Sequence, residues 1–140
     1  MILDTNVISE AISVRPDHLV MKWFATLEPE MLTIPSVVKA ELLAGVAFLP
    51  AGRRRDVLGS MIRDFLDPYE PVRVLPFESA DAPFYAQVLS SRRSAGRPVK
   101  ELDAQIAAIA LRRGLPIATR NVRDFADCGV TLINPWDPAP

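Results

Sequence analysis

Three carboxylates stand where a packing role is hard to assign. Asp4 follows the apolar run 1–3, and Glu41 and Asp103 lie in the first halves of mostly apolar segments. Gathered at one place, such residues would suit Mg²⁺ or Mn²⁺, because oxygen ligands select hard cations. Each also has an ordinary explanation: a helix dipole favours Asp103 near a helix start, and Glu41 could lie on a solvated face.

Short apolar runs predict the elements that must position these acids. Strands are predicted at 1–3, 31–34, 72–75, 116–119 and 130–133. Helical apolar spacing fills the intervals, and the predicted helix starts are Asp17, Ser36, Gly52 and Ser79. Strands alternating with helices predict an α/β fold with a central parallel sheet covered on both faces. At 140 residues we expect one domain over 1–136 and a short tail over 137–140.

Ligands of an open parallel sheet bind beyond the C-terminal ends of its strands. Asp4 ends the first strand, and Thr119-Arg120-Asn121 ends the strand at 116–119. Thr5 and Asn6 can hold the loop after Asp4 through bonds from their side chains to the backbone. The candidate site is therefore expected at this edge.

Composition excludes several other chemistries. His18 and Cys128 are single residues of their types, so a disulfide framework, a four-ligand zinc site and Ser-His-Asp catalysis lack support. The dispersed glycines do not form a phosphate-binding loop. The sequence shows neither a signal peptide nor a run of ~20 apolar residues, so we expect a cytoplasmic protein without membrane contact.

Arginine accounts for thirteen of the sixteen cations, against seventeen acids. A formal net charge of -1 gives the whole chain no basic footprint for nucleic acid. The arginines are grouped, however, and arginine is the cation suited to bidentate phosphate contacts. Arg53-Arg54-Arg55, close to Phe48-Leu49, is either an interaction surface or a solvated charge run.

Five segments in order resemble the PIN-domain family, and more narrowly the VapC and FitB type of toxin ribonuclease. The resemblance extends from the first strand to Trp136. The segments are Leu3-Asp4-Thr5-Asn6-Val7-Ile8-Ser9-Glu10, Ala40-Glu41-Leu42 with Gly45, Asp103-Ala104-Gln105-Ile106-Ala107-Ala108, Thr119-Arg120-Asn121-Val122-Arg123-Asp124-Phe125, and Asn134-Pro135-Trp136.

This resemblance implies a three-layer α/β/α domain and a Mg²⁺- or Mn²⁺-dependent endoribonuclease. Asp4, Glu41 and Asp103 match the acidic positions of the family. Relatives often have Asp directly after Thr-Arg, where this chain has Asn121, with Asp124 three residues on. We expect Asp4 and Asp103 to bind the metal and Glu41 to orient or deprotonate water, while Asn121 and Asp124 lie around these ligands. Either Asn121 or Asp124 fills the fourth acidic position of the family.

The same resemblance implies the partners. They are an RNA substrate, a second copy of the chain in a homodimer, and a cognate antitoxin that inserts near the acids. Promoter DNA would be bound only through the antitoxin complex. Arg120 and Arg123, beside the predicted site, are candidates for contacts to RNA phosphates.

Two other functions remain open at this level. Phosphatases of the haloacid dehalogenase type also place Asp after a first strand, but they have a second Asp where this chain has Asn6. A PIN domain with weak catalysis that only binds RNA or protein is the stronger rival, and Asn121 is its main support.

Overall fold

In the part of the chain that the structure describes, five parallel strands of two residues each form the centre. A computed structural model describes residues 1–70 and 72–138. The strands are β1 (Ile2–Leu3), β2 (Ile34–Pro35), β3 (Val74–Leu75), β4 (Ile117–Ala118) and β5 (Leu132–Ile133). β1, β4 and β5 pair in that order, and β2 pairs with β3. A parallel bridge between Ile2 and Thr33 joins the two groups, which gives the order β3-β2-β1-β4-β5.

Helices occupy the intervals between strands, which confirms the predicted α/β fold with a parallel sheet. They are α1 (Thr5–Ala11), α2 (His18–Ala25), α3 (Ser36–Ala47), α4 (Arg53–Leu66), α5 (Ala82–Ser94), α6 (Glu101–Arg113) and α7 (Val122–Phe125). Short 3-10 turns cover Pro29–Met31, Asp67–Tyr69 and Ser79–Asp81.

The core is formed by the strands and by α6. Both residues of β1 and of β4 are fully buried, and α6 is buried from Ile106 to Ala110. Alanines let this helix lie close to its neighbours, and Gly114 ends it in the left-handed conformation at φ 62°. The burial fixes the depth and rotation of α6, and therefore the place of Asp103 in its first turn.

Helix starts agree with the sequence at two predicted positions and differ at two. The Asp17 side chain caps α2 by accepting from the Leu19 amide, and Gly52 precedes α4. Ser36 is the first residue of α3 rather than its cap, because Pro35, predicted as a stop, belongs to β2. Ser79 is also not a cap.

Glu78 begins the 3-10 turn before α5, and its side chain and that of Asp81 each bond the other's backbone amide. The segment at 31–34, predicted as a strand, begins in a 3-10 turn, and only Ile34 of it lies in β2. α7 was not predicted. Of the expected tail at 137–140, residues 139 and 140 lie outside the described residues. Within the described chain, no helix combines the length and apolarity needed to cross a bilayer.

Candidate active site

The structure brings all five predicted site residues to one cleft of about 440 Å³. Asp4 follows β1 and Asn121 follows β4, so the cleft lies at the C-terminal edge of the sheet. Glu41 comes from the middle of α3, Asp103 from the first turn of α6 and Asp124 from α7. The lining is completed by Thr5, Asn6, Ser9, Glu10, Lys100 and Leu102.

Asp4 is the buried carboxylate of the cleft, with 5% of its surface exposed. Its Oδ1 accepts from the Thr5 amide at 2.8 Å. Its Oδ2 accepts from Asn6 Nδ2 and from Thr119 Oγ1, both at 2.7 Å. Two donors occupy the lone pairs of Oδ2, whereas one donor on Oδ1 leaves that oxygen able to accept a further ligand.

A second set of bonds joins the ends of β1 and β4. Thr119 Oγ1, which donates to Asp4, accepts from the Asn121 amide at 3.0 Å. Asn6 Oδ1 accepts from the Arg120 amide at 3.0 Å. Asn6 therefore holds a loop through the backbone, as the sequence predicted, but the loop is the one after β4. These bonds fix the backbone on both sides of Arg120.

Thr5 has a different role from the one predicted. Its hydroxyl does not bond the backbone but donates to Glu41 Oε2 at 2.6 Å. This bond links α1 to α3 and orients the Glu41 carboxylate, which is otherwise on an exposed residue. The solvated position considered for Glu41 is therefore correct, but its side chain is held at the cleft.

The pKa values of Asp103 and Asp4 are both raised in the cleft. Burial raises the pKa of Asp103 to about 6, and the negative charges of Asp4, Asp124 and Glu41 add to the rise, while Lys100 opposes it. Burial likewise raises the pKa of Asp4, aided by the charge of Glu41 and opposed by the hydrogen bonds from Thr119, Thr5 and Asn6. A cation bound among these groups would relieve the repulsion.

The donor set fits a hydrated hard cation better than an enclosed one. Among the described residues, no three Asp, Glu, His or Cys side chains are close enough together to hold a metal ion. Mg²⁺, however, usually keeps several waters and is bound through one or two carboxylates. Asp4 and Asp103, both at the cleft, can provide such a pair, and the described lining residues include no softer ligand.

Sequence reasoning missed several contributors to this site. Glu10 lines the cleft and is fixed by the Asp17 amide, which donates to its Oε1 at 2.7 Å. Lys100 is the one cation among the described residues that line the cleft. Arg120 was predicted as a phosphate contact, but its stacking over the ring of Trp136, with 5.2 Å from its guanidinium carbon to the ring centroid, was not. Only the position of Lys100, three residues before Asp103, was a signal for any of these in the sequence.

An apolar groove of about 430 Å³ adjoins the cleft and shares Thr5, Ser9 and Glu41 with it. We call it the α1–α3–α4 groove, and its other lining residues are Ile12, Ser13, Leu42, Gly45, Leu49, Arg54, Leu58 and Ile62. Leu49 and Arg54 belong to the segment that the sequence marked as a possible interaction surface. The groove thus leads from an arginine on α4 to the acidic cleft.

Comparison with known proteins decides the family. The family model of the PIN domain matches residues 1–129 of this chain. The chain belongs to the PIN domain family. The haloacid dehalogenase alternative is therefore wrong, and the structure gives the reason at Asn6: its amide donates to Asp4 instead of supplying a general acid.

Curated PIN relatives match over almost their whole length. The plasmid stability protein StbB of Pseudomonas syringae is 40% identical over 98% of this chain and 99% of its own. The VapC ribonuclease Y4jK of Sinorhizobium fredii is 36% identical over 99% of both chains. The toxin FitB of Neisseria gonorrhoeae is 35% identical over 97% of this chain and 98% of its own.

A solved structure shares the same PIN fold. The structure of FitAB bound to a DNA fragment contains a chain that superimposes with a TM-score of 0.92 at 33% identity. The match covers 99% of this chain and 97% of the other. The two chains therefore share one fold over almost their whole length.

Proposed function

We propose that this PIN domain is a Mg²⁺- or Mn²⁺-dependent endoribonuclease that acts as the toxin of a type II toxin-antitoxin pair. The observation that carries the proposal is the gathering of Asp4, Glu41, Asp103 and Asp124 in one cleft at the C-terminal edge of the sheet. Relatives named as a VapC ribonuclease and as a toxin support it. The reaction is hydrolysis of an RNA phosphodiester bond.

Asp4 and Asp103 are the residues that would hold the metal. A divalent cation bound there would offset the negative charge of the phosphodiester and lower the pKa of an attacking water. Asp4 offers Oδ1, because the other oxygen already accepts two hydrogen bonds. Asp103, with its raised pKa, gives up its proton more readily when a cation is near.

Glu41 is assigned the orientation and deprotonation of the attacking water. The Thr5 hydroxyl occupies Oε2, so Oε1 is the atom that would take the proton. Asn121 and Asp124 complete the cleft from the side of β4 and α7. Arg120 and Arg123 are exposed close to this edge and are assigned to RNA phosphates.

The rival function, a PIN domain that binds without cutting, is less well supported. Asn121 removes one negative charge, but Asp4, Glu41, Asp103 and Asp124 remain together, and the charges of the other three raise the pKa of Asp103. Keeping like charges close destabilises the folded chain, and binding alone does not require these carboxylates to be close together. Retained acids therefore favour catalysis.

A cleavage assay with structured and single-stranded RNAs in Mg²⁺, Mn²⁺ or EDTA tests the activity. We expect cutting with either metal, none in EDTA, and at least a 100-fold lower rate for Asp103→Asn. Asp64→Asn, at an exposed position on α4, is the matched control. Asp103 is preferred to Asp4 because an amide at Asp4 would place a donor against Asn6 or Thr119.

The result of the cleavage assay distinguishes the nuclease from the binding module. Folded protein, free of antitoxin, that cuts no RNA under any metal would reject the nuclease and favour the binding module. In that case Asn121→Asp, which restores a carboxylate to the cleft, is the variant to assay next.

The α1–α3–α4 groove is the proposed binding site of the antitoxin. Its apolar lining suits a protein segment, and its shared wall with the cleft lets that segment reach Glu41 and block the site. The solved FitAB assembly on DNA supports a DNA-binding partner for this chain. DNA would thus be bound through the antitoxin and not by this chain alone.

Growth inhibition tests the groove. Expression of the chain alone should arrest bacterial growth, and co-expression of its antitoxin should relieve the arrest. Leu58→Glu places a charge in the groove and should abolish relief, whereas Val57→Glu, at the neighbouring exposed position, should not. If co-expressed antitoxin relieved the growth arrest caused by both variants, the groove would be excluded as the antitoxin-binding site.

The homodimer is tested by analytical ultracentrifugation. A dimer is expected at micromolar concentration in the absence of antitoxin. A monomer at that concentration would contradict the expectation.

A further inference from the structure

Arg92, on α5, is a buried cation that has no carboxylate partner among the described residues. It is 5% exposed, and in the described part of the chain no carboxylate lies within 4.0 Å of its guanidinium. Arginine is almost never buried unless it is paired. Its place in this fold therefore needs another explanation.

Two backbone carbonyls, rather than a carboxylate, accept hydrogen bonds from Arg92. Arg92 Nη1 donates to the carbonyl of Arg123 at 3.0 Å and to that of Ala126 at 2.6 Å. Arg123 lies within α7, and Ala126 is the residue that ends it. Carbonyls at the end of a helix lack intrahelical partners and carry partial negative charge, so they can stabilise a buried cation.

A helix of four residues has too few internal bonds to persist alone, and α7 is held from two sides. Phe125 is 1% exposed and anchors the apolar side in the core. Arg92 anchors the polar side. Between the two held carbonyls lies Asp124, which lines the acidic cleft and whose amide donates to the Asn121 carbonyl at 2.9 Å.

Stability alone does not account for this arginine. Its Nε is buried and finds no hydrogen-bond partner among the described residues, which destabilises the fold. Apolar residues of similar volume often replace buried ionic groups at no cost to stability. The feature specific to the guanidinium is that one group bonds both carbonyls that flank Asp124.

We propose that Arg92 is a positioning residue for the acidic cleft, holding α7 so that Asp124 stays at the cleft beside Asp103. Arg92 does not line the cleft and bonds the backbone of α7, so it would act through the position of Asp124. The inference rests on the proposed function, because it assumes that Asp124 contributes to RNA cleavage.

Steady-state kinetics test the link to catalysis. Arg92→Met should lower kcat by about 10- to 100-fold, the range for residues that orient metal-site groups, with KM within about twofold. Arg92→Lys keeps the charge and one donor group and should recover part of kcat. Arg113→Met is the matched control: Arg113 is half-buried on α6 and paired with Asp81, so kcat should not change.

A double-mutant cycle separates positioning from general destabilisation. In an Asp124→Asn background, Arg92→Met should change kcat by less than about threefold, because the group that it positions is already disabled. An equal loss of kcat in both backgrounds would overturn the proposal. So would a loss of kcat in Arg113→Met as large as that in Arg92→Met.

Amide hydrogen exchange tests the positioning without any activity. Arg92→Met should speed exchange at Asp124 and Cys128, whose amides donate to Asn121 and Phe125, and leave α6 unchanged. Unchanged exchange at both amides, or faster exchange throughout the chain, would overturn the proposal. A wild type that cuts no RNA would reject the proposed function, and the exchange rates would still decide whether Arg92 holds α7.

Discussion

At the scale of single residues, the cleft brings together carboxylates whose negative charges repel one another. Asp103 is half-buried and close to other acids, which raises its pKa to about 6 from an ordinary value of 3.8. Asp4 is more deeply buried but accepts three hydrogen bonds that favour its charged form. The two acids therefore differ: hydrogen-bond donors favour the charged form of Asp4, whereas the charge of Lys100 offsets only part of the rise in the pKa of Asp103.

Asp103→Asn should stabilise the metal-free protein at neutral pH while it abolishes cleavage. The carboxyl of Asp103 binds its proton more tightly when folded, so its favourable contribution is complete below pH 3.8 and is lost as pH rises through about 6. We expect the variant to gain about 1 kcal/mol at pH 7, allowing for solvent screening.

Urea unfolding in EDTA from pH 4 to 8 measures this difference. The two stability curves should diverge as pH rises from 3.8 to about 6 and keep a constant separation above that, and Asp64→Asn should follow the wild type. Curves that stay parallel over the whole range would show that Asp103 does not carry the expected penalty.

Lys100 should govern RNA binding more than chemistry. It is the one cation among the described lining residues of a cleft that must accept a phosphate. Lys100→Gln should raise KM several-fold, leave kcat within about twofold, and reduce the slope of log KM against log salt by about 1. Measurement of KM at four salt concentrations tests this change in slope. The control is Lys22→Gln, because Lys22 is exposed on α2. An unchanged slope would place Lys100 outside the RNA path.

At the scale of elements, the cleft depends on how two strand ends are joined. Thr119, directly after β4, is fully buried and bonds Asp4 at the end of β1, 115 residues earlier in the chain. The same hydroxyl accepts from the amide of Asn121. One side chain thus sets the spacing between the two edges that carry the acids.

Thr119→Val removes this hydroxyl with little change of shape. We expect a loss of about 1 to 3 kcal/mol in unfolding free energy, because the Asn121 amide and one side of Asp4 lose their partner. Weaker Mn²⁺ binding should accompany it, measured by calorimetry. Thr119→Ser keeps the hydroxyl and should retain most of both properties. Equal behaviour of the two variants would mean that the methyl group, not the hydroxyl, is what matters.

At the scale of the whole molecule, α6 connects two charged clusters at opposite ends. Asp103 lies in its first turn and Arg113 at its last residue, about 15 Å apart along the axis. At the far end, Asp81 is fully buried and accepts from Arg112 at 2.5 Å and from Arg113 at 2.9 Å. This far cluster ties the turn before α5 to α6, away from the cleft.

Asp81→Asn should therefore separate stability from activity. Breaking a buried ion pair typically costs about 3 kcal/mol or more, so a marked fall in melting temperature is expected. Cleavage by the folded protein should keep its kcat and KM, measured well below the melting temperature. A fall in kcat without a fall in stability would show that the two ends of α6 are coupled.

Local patterns in the sequence determined the class of this fold and most of its candidate site. Apolar runs mark the strands, and the acids at the ends of Met1-Ile2-Leu3 and in the helices stand out because carboxylates are poor choices for packing. Helix starts were less predictable. Ser36 and Ser79 have the residue type of a cap, but pairing of Pro35 in β2 and the bonds between Glu78 and Asp81 decide where the helices begin.

Tertiary structure alone decided which side chains meet. The bond from Thr119 to Asp4, the place of Lys100 in the cleft and the hold of Arg92 on α7 join residues from separate elements, so no local spacing encodes them. α7 itself is too short to form from its own propensity, and its contacts to α5 and the core create it. The chain's residue types fixed the available chemistry, whereas burial and long-range contacts determined which of these groups share a site and how strongly their charges interact.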